Sequence, residues 1–153
     1  MNHSPIDLFH NIWIASGIAS WFVAQACKLV SALIQTRNVD FTYFVSTGGM
    51  PSAHSASMAG LATAVGLTEG FGSAVFAVAF ALAVVTMFDA STVRMAAGRQ
   101  ARLLNEIVRV IRTEHRMPEK PLKELLGHTR LEVFMGMLIG ILTAVNVIFW
   151  HRA

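Results

Sequence analysis

Apolar residues run along this chain in four long stretches separated by polar segments. The first covers about residues 12–34, where Gln25 and Lys28 are the strongly polar interruptions. The second, about 51–68, is rich in Ala and Gly. The third spans about 73–93 with Asp89 near its end, and the fourth about 131–150. Each lies near the roughly 20 residues that a bilayer-spanning helix needs, the second and fourth being on the short side. Backbone in lipid must satisfy its own hydrogen bonds, so the pattern predicts an all-α integral membrane bundle of about four helices. The opening MNHSPIDLFH carries no Lys or Arg, and the apolar run behind it exceeds a signal peptide's, so the first stretch is expected to stay as a span.

Between the third and fourth stretches the period changes. In RQARLLNEIVRVIRTEHR, Leu103, Leu104, Ile107, Val108 and Ile111 share one helical face, and Arg102, Glu106, Arg109, Arg112 and Arg116 take much of the rest. Over about 98–117 this predicts a basic amphipathic helix lying on anionic lipid headgroups. The alternative is a solvated helix packed against its own protein. Pro118 and Pro121 close the segment.

Composition supports a bilayer. Of 153 residues, 54% are apolar and 14% charged, with mean hydropathy +0.55, against about 25% charged in an average soluble chain. One membrane domain, 1–153, is expected, with no linker or repeat. The single cysteine, Cys27, excludes an internal disulfide and is expected to be shielded inside the bundle. Net charge is +3, but eight of the twelve Lys and Arg fall between Arg94 and Lys123. Four spans put both termini on one side and loops 35–50 and 94–130 on the other. The excess of basic residues in those loops predicts that they face the cytoplasm, most naturally across a bacterial inner membrane.

This topology brings scattered polar residues to one end. Lys28 lies late in the first stretch. Ser52, His54 and Ser55 open the second, Asp89 and Arg94 close the third, and His128 and Glu132 open the fourth. Any one of these could snorkel or pair at a span end; two His, a Lys, an Arg and two carboxylates together predict a polar site. His128 and Glu132, at i and i+4, share a helix face, so the carboxylate can hold one imidazole nitrogen and free the other as nucleophile or base. In GGMPSAHSAS, residues 48–57, Gly48, Gly49 and Pro51 lead into a helix start whose N–H groups and dipole suit an anion. Lys28 and Arg94 suit phosphate oxygens. Two buried His could also ligate haem, but carboxylates and Arg beside them argue against it. The pair Gly136 and Gly140 predicts close helix packing, and Trp13 and Trp150 predict interfacial anchors.

The run of PSAH, DASTVRMAAGRQA and LKELLGHTRLEVFMG resembles the divergent branch of the type 2 phosphatidic acid phosphatases, a family related to vanadium-dependent haloperoxidases. The resemblance covers roughly residues 25–140. It implies that His128 attacks phosphorus to form a phosphohistidine, that Glu132 orients it, and that His54 protonates the leaving oxygen. It further implies that Lys28, Ser52 and the backbone at Ala53 hold the phosphate. Departures are specific. Arg37 follows Lys28 after eight residues without a proline, and Leu122 stands where the family has an arginine six residues before its nucleophile. Arg94 is the candidate replacement and Lys123 its rival. Glu132 replaces an Asp, Ala53 replaces a Gly, and Asp89 has no counterpart in the main family; it could orient Arg94 or, as the lesser alternative, hold a metal. The expected activity is hydrolysis of a lipid phosphate or diphosphate, with no cofactor, metal or nucleic acid called for and a homo-oligomer left open. The alternative is a membrane protein that binds lipid phosphates without turnover.

Overall fold

The computed structural model describes residues 10–36, 49–112 and 127–153. The described residues form helices and no strand: α1 (Ile12–Thr36), α2 (Ala53–Glu69), α3 (Ala74–Phe88), a π-helical turn (Asp89–Val93), α4 (Arg94–Arg112) and α5 (Arg130–Arg152). Lys123, Arg37, Gly48 and the end of the amphipathic segment fall outside the described residues.

Among the described residues, three helices are long and apolar enough to cross a membrane: Ile12–Ile34, Ala74–Arg109 and Arg130–Arg152. The second stretch is different. With 17 residues, α2 is about 25 Å long, shorter than the roughly 30 Å hydrocarbon core. It is packed between α1, α3 and α5. Lying at the centre, it does not meet lipid on all sides, which is why Ala, Gly and Ser suffice where a lipid-facing helix needs Leu and Phe.

The packing is that of a membrane bundle. Ala24, Ala53, Ala56, Ala64 and Ala144 are buried together with Ser16, Ser20, Ser52 and Ser55, whereas Ile18, Phe22, Val78, Val85, Leu142 and Phe149 point outward. Lipid gives no hydrophobic drive between helices, so close backbone approach between small residues does the holding. Gly136 and Gly140 lie directly on the Ser52 and Ala56 carbonyls of α2, and Gly60 of α2 on Ser20 of α1. The Ser20 hydroxyl also donates to Gly140 across to α5. At the end remote from the polar residues, Trp13 Nε1 donates to Thr68 at 2.7 Å and Arg152 to the Leu67 carbonyl at 2.9 Å. Cys27 corrects the expectation of a shielded thiol: it is exposed on the outer face of α1.

The third stretch and the amphipathic segment are one continuous helix from Ala74 to Arg112. At 1.5 Å per residue it is about 58 Å long, nearly twice the hydrocarbon thickness. No Pro or Gly separates the two parts before Gly98, so nothing local ends the helix where the membrane does; the discontinuity is the π turn instead.

Candidate active site

The π turn organises one end of the bundle. The Ser91 hydroxyl donates to the Met87 carbonyl and the Thr92 hydroxyl to the Phe88 carbonyl, bonds that draw carbonyls away from the α-helical ladder. The Arg94 N–H then bonds the Asp89 carbonyl, five residues back. Two consequences follow. Asp89 and Arg94, too far round an α-helix to pair at this spacing, meet on one face with Arg94 Nε donating to Asp89 Oδ2 at 2.8 Å. The Ala90 carbonyl, which an α-helix would give to Arg94, instead accepts the His128 N–H at 3.0 Å. Gly127 allows this, since a methyl there would overlap the backbone of Arg94 and Met95.

His128 is thereby buried at the mouth of α5. Its Nδ1 lies 3.1 Å from Glu132 Oε2, and the same oxygen accepts the Thr129 N–H at 2.9 Å. Thr129 and Glu132 form a reciprocal capping box at the start of α5. An ionised carboxylate only accepts hydrogen bonds, so the ring carries its proton on Nδ1 and leaves the Nε2 lone pair free. Burial pushes His128 below the ordinary histidine value of 6.5. The Glu132 hydrogen bond and charge hold it up, and Lys28 and Arg94 push it down again.

The second helix contributes its N-terminus. The backbone N–H of Ser52 bonds the Glu132 carbonyl at 3.0 Å, fixing the α2 start to the α5 start. Ser52 caps α2 through the Ser55 N–H, and the Ser55 hydroxyl donates back to Ser52 at 3.0 Å. The Ala53 and His54 N–H groups have no acceptor among the described residues, which leaves them as donors at the positive end of the helix. The turn before it is tied to α1, where the Ser31 hydroxyl bonds the Lys28 and Met50 carbonyls. Gly49, at φ 91°, passes over the Lys28 side chain. Lys28 is buried beneath that turn and His54 is exposed beside it. His54 is within electrostatic reach of Arg94, His128, Lys28 and Asp89, and Lys28 within reach of Glu132.

Lys28, Ser52, Ala53, His54, Asp89, Arg94, His128 and Glu132 are therefore brought to one end of the bundle, two cations and a helix N-terminus around two imidazoles. The pattern that defines the family described as "Divergent PAP2 family" matches residues 9–143. The chain belongs to the divergent PAP2 family. A relative from Bacillus subtilis (strain 168), "Uncharacterized membrane protein YuiD", is 42% identical over 148 residues, covering 90% of this chain and 94% of that one. No solved structure matches.

Within this divergent PAP2 site, Ser55 takes its expected place at the polar end and bonds Ser52, whereas Thr129 and the Ala90 carbonyl are supporting groups that the sequence did not single out. Thr129 had a signal, the Thr-x-x-Glu spacing of a capping box. The role of Ala90 had none, because a backbone carbonyl is released by the turn and not by the side chain.

Proposed function

We propose that this divergent PAP2 protein is a membrane phosphatase that cleaves a lipid phosphate or diphosphate through a phosphohistidine. The observation that supports this most is His128, held through Nδ1 by Glu132 with Nε2 free, in a site that also holds Lys28 and Arg94. Nε2 attacks phosphorus, the phosphoryl group moves to nitrogen, and the departing alkoxide takes a proton from His54. Water then attacks the phosphohistidine, giving a proton back to His54 and releasing phosphate. Lys28, Arg94 and the N–H groups of Ala53 and His54 offset the charge on the transferring oxygens. Asp89 acts through Arg94, fixing the direction of its guanidinium. The test is rapid acid-free quenching after mixing with a radiolabelled short-chain phosphatidic acid: label is expected on His128, and saturable binding without any trapped label supports the non-catalytic reading, which draws on the altered phosphate clamp.

The pH profile carries a second expectation. Because burial depresses the His128 pKa, the neutral nucleophile persists below the ordinary 6.5. The sign for folding is the usual one for a depressed histidine: its contribution is present above 6.5 and is lost as pH falls through the folded value. Glu132→Gln keeps both hydrogen bonds but removes the charge that holds the ring up. The His128 titration midpoint, followed by NMR of the ring protons, is expected below 6.5 in the parent and lower still in the variant. The plateau rate should fall by roughly two orders of magnitude or more. A midpoint that rises in Glu132→Gln contradicts this account.

The basic helix α4 exposes Leu103, Leu104, Ile107 and Ile111 beside its arginines, a face suited to anionic headgroups at the site's side of a bacterial inner membrane. On this orientation the site opens to the cytoplasm. In a Cys27→Ser background, Gly72→Cys is expected to react with an impermeant thiol reagent in intact cells, and Gln100→Cys only after lysis. The reverse pattern places the site outside.

A further inference from the structure

An apolar groove of about 170 Å³ runs between α2, α3 and α5, lined among others by Thr63 of α2, Phe76, Phe80 and Met87 of α3, and Met137 of α5. Cavities of this size and lining in protein interiors stay dry and take hydrocarbon. Its depth follows from helical rise. Met87 is two residues, about 3 Å, below Asp89; Ala59 is about 8 Å below His54; Met137 is about 8 Å below Glu132. At its other end Phe76 lies about 20 Å below Asp89. The groove thus begins just beneath the polar end of the bundle and descends through half of the hydrocarbon layer. Its floor is aromatic: the Phe71 ring sits on Gly66 and meets Phe76 edge to face at 5.1 Å.

Its open side is set by the packing. α3 rests chiefly on α2 and is linked to α5 mainly where the π turn touches it. Below that link the two helices leave a slot that faces the lipid. An occupant entering sideways from the bilayer would have its upper end beneath Lys28, Arg94 and the start of α2, groups that attract an anion, and the rest of its length against Phe80, Thr63 and Met137.

We infer that this groove seats one hydrocarbon chain of a lipid phosphate whose head lies between Lys28, Arg94 and the α2 N-terminus. The inference rests on the phosphatase reading for the identity of the head but not for its turnover. The substrate class that fits is a membrane lipid with a terminal phosphate or diphosphate and at least one chain that can leave the bulk bilayer. Phe71 and Phe76 set how deep that chain is seated.

The test uses the full chain in lipid nanodiscs with a dodecyl phosphate that carries a photoactivatable diazirine midway along its chain. The alcohol of the same chain serves as the control. Labelling by the phosphate is expected to concentrate on Thr63, Phe80 and Met137. It should drop about tenfold in Thr63→Trp, because filling the volume that a chain needs costs of that order. His128→Ala should keep it. Phe71→Ala should carry labelling deeper, toward Gly66. Failure of the phosphatase reading is seen separately, as absence of phosphate release from the parent while labelling of the groove persists. Equal labelling by the alcohol marks bulk lipid and overturns the inference. So does groove labelling that falls as protein concentration rises, which marks a second copy in the slot, and so does unchanged labelling in Thr63→Trp.

Discussion

His128→Ala is expected to lower phosphate release from short-chain phosphatidic acid by at least about a thousandfold, the scale seen when a covalent nucleophile is removed. The fold should survive the change. The His128 backbone N–H still reaches the Ala90 carbonyl, and Glu132 keeps the Thr129 N–H and its place in the capping box. What is lost is the ring alone, so melting temperature and lipid binding should change little while turnover disappears. His54→Ala provides the contrast. If His54 protonates the leaving oxygen, the variant should lose activity on alkyl phosphates and recover much of it on an aryl phosphate, whose leaving group needs no proton. A His128→Ala protein with parental turnover removes the histidine mechanism altogether.

The largest structural effect is expected at Gly136. A Cβ there would overlap the Ser52 carbonyl oxygen and lie 3.1 Å from the Ser55 Cβ. Backbone cannot yield as a side-chain tip can, so a larger residue must push the α2 start away from α5. Gly136→Leu should cost about 3 kcal/mol or more of stability, read as a large fall in melting temperature in mild detergent. Lipid-facing Leu142→Ala should shift it by less than about 0.5 kcal/mol. Because Ser52 N–H is tied to the Glu132 carbonyl, the milder Gly136→Ala should damage the site even where it is folded, with activity falling more steeply than stability. A Gly136→Leu protein that melts with the parent would show that the α2–α5 contact is looser than drawn.

Hydropathy was sufficient to predict that the polar residues gather at one end, because span ends fix which residues share a membrane face. Lys28, His54, Arg94 and Glu132 could be placed there without any knowledge of packing. The Ala and Gly content of residues 51–68 carried more information than its modest hydropathy suggested: it marks α2 as the inner helix against which the others pack. The continuity of Ala74–Arg112 was not readable, since a change from uniform to amphipathic character looks the same whether a helix ends or merely leaves the membrane. The π turn had one trace, an Asp and an Arg five residues apart in a stretch with Ser91 and Thr92 between them. An α-helical wheel separates the two, and only their opposite charges hint that the wheel is wrong.

A π turn carries one residue more than the α-helix it interrupts, so it acts as a phase shift of about 100° on everything that follows. Here the same shift sets the direction of Arg94, releases the carbonyl that anchors His128, and fixes which way the Leu103–Ile111 stripe points. Length between Asp89 and Arg94 is therefore held more tightly than identity. Substituting Val93, whose side chain makes no bond in the turn, leaves the count intact and should be tolerated, whereas deleting it resets the register. A single missing codon would turn the arginine, the histidine anchor and the amphipathic face at once, without altering any residue that touches substrate.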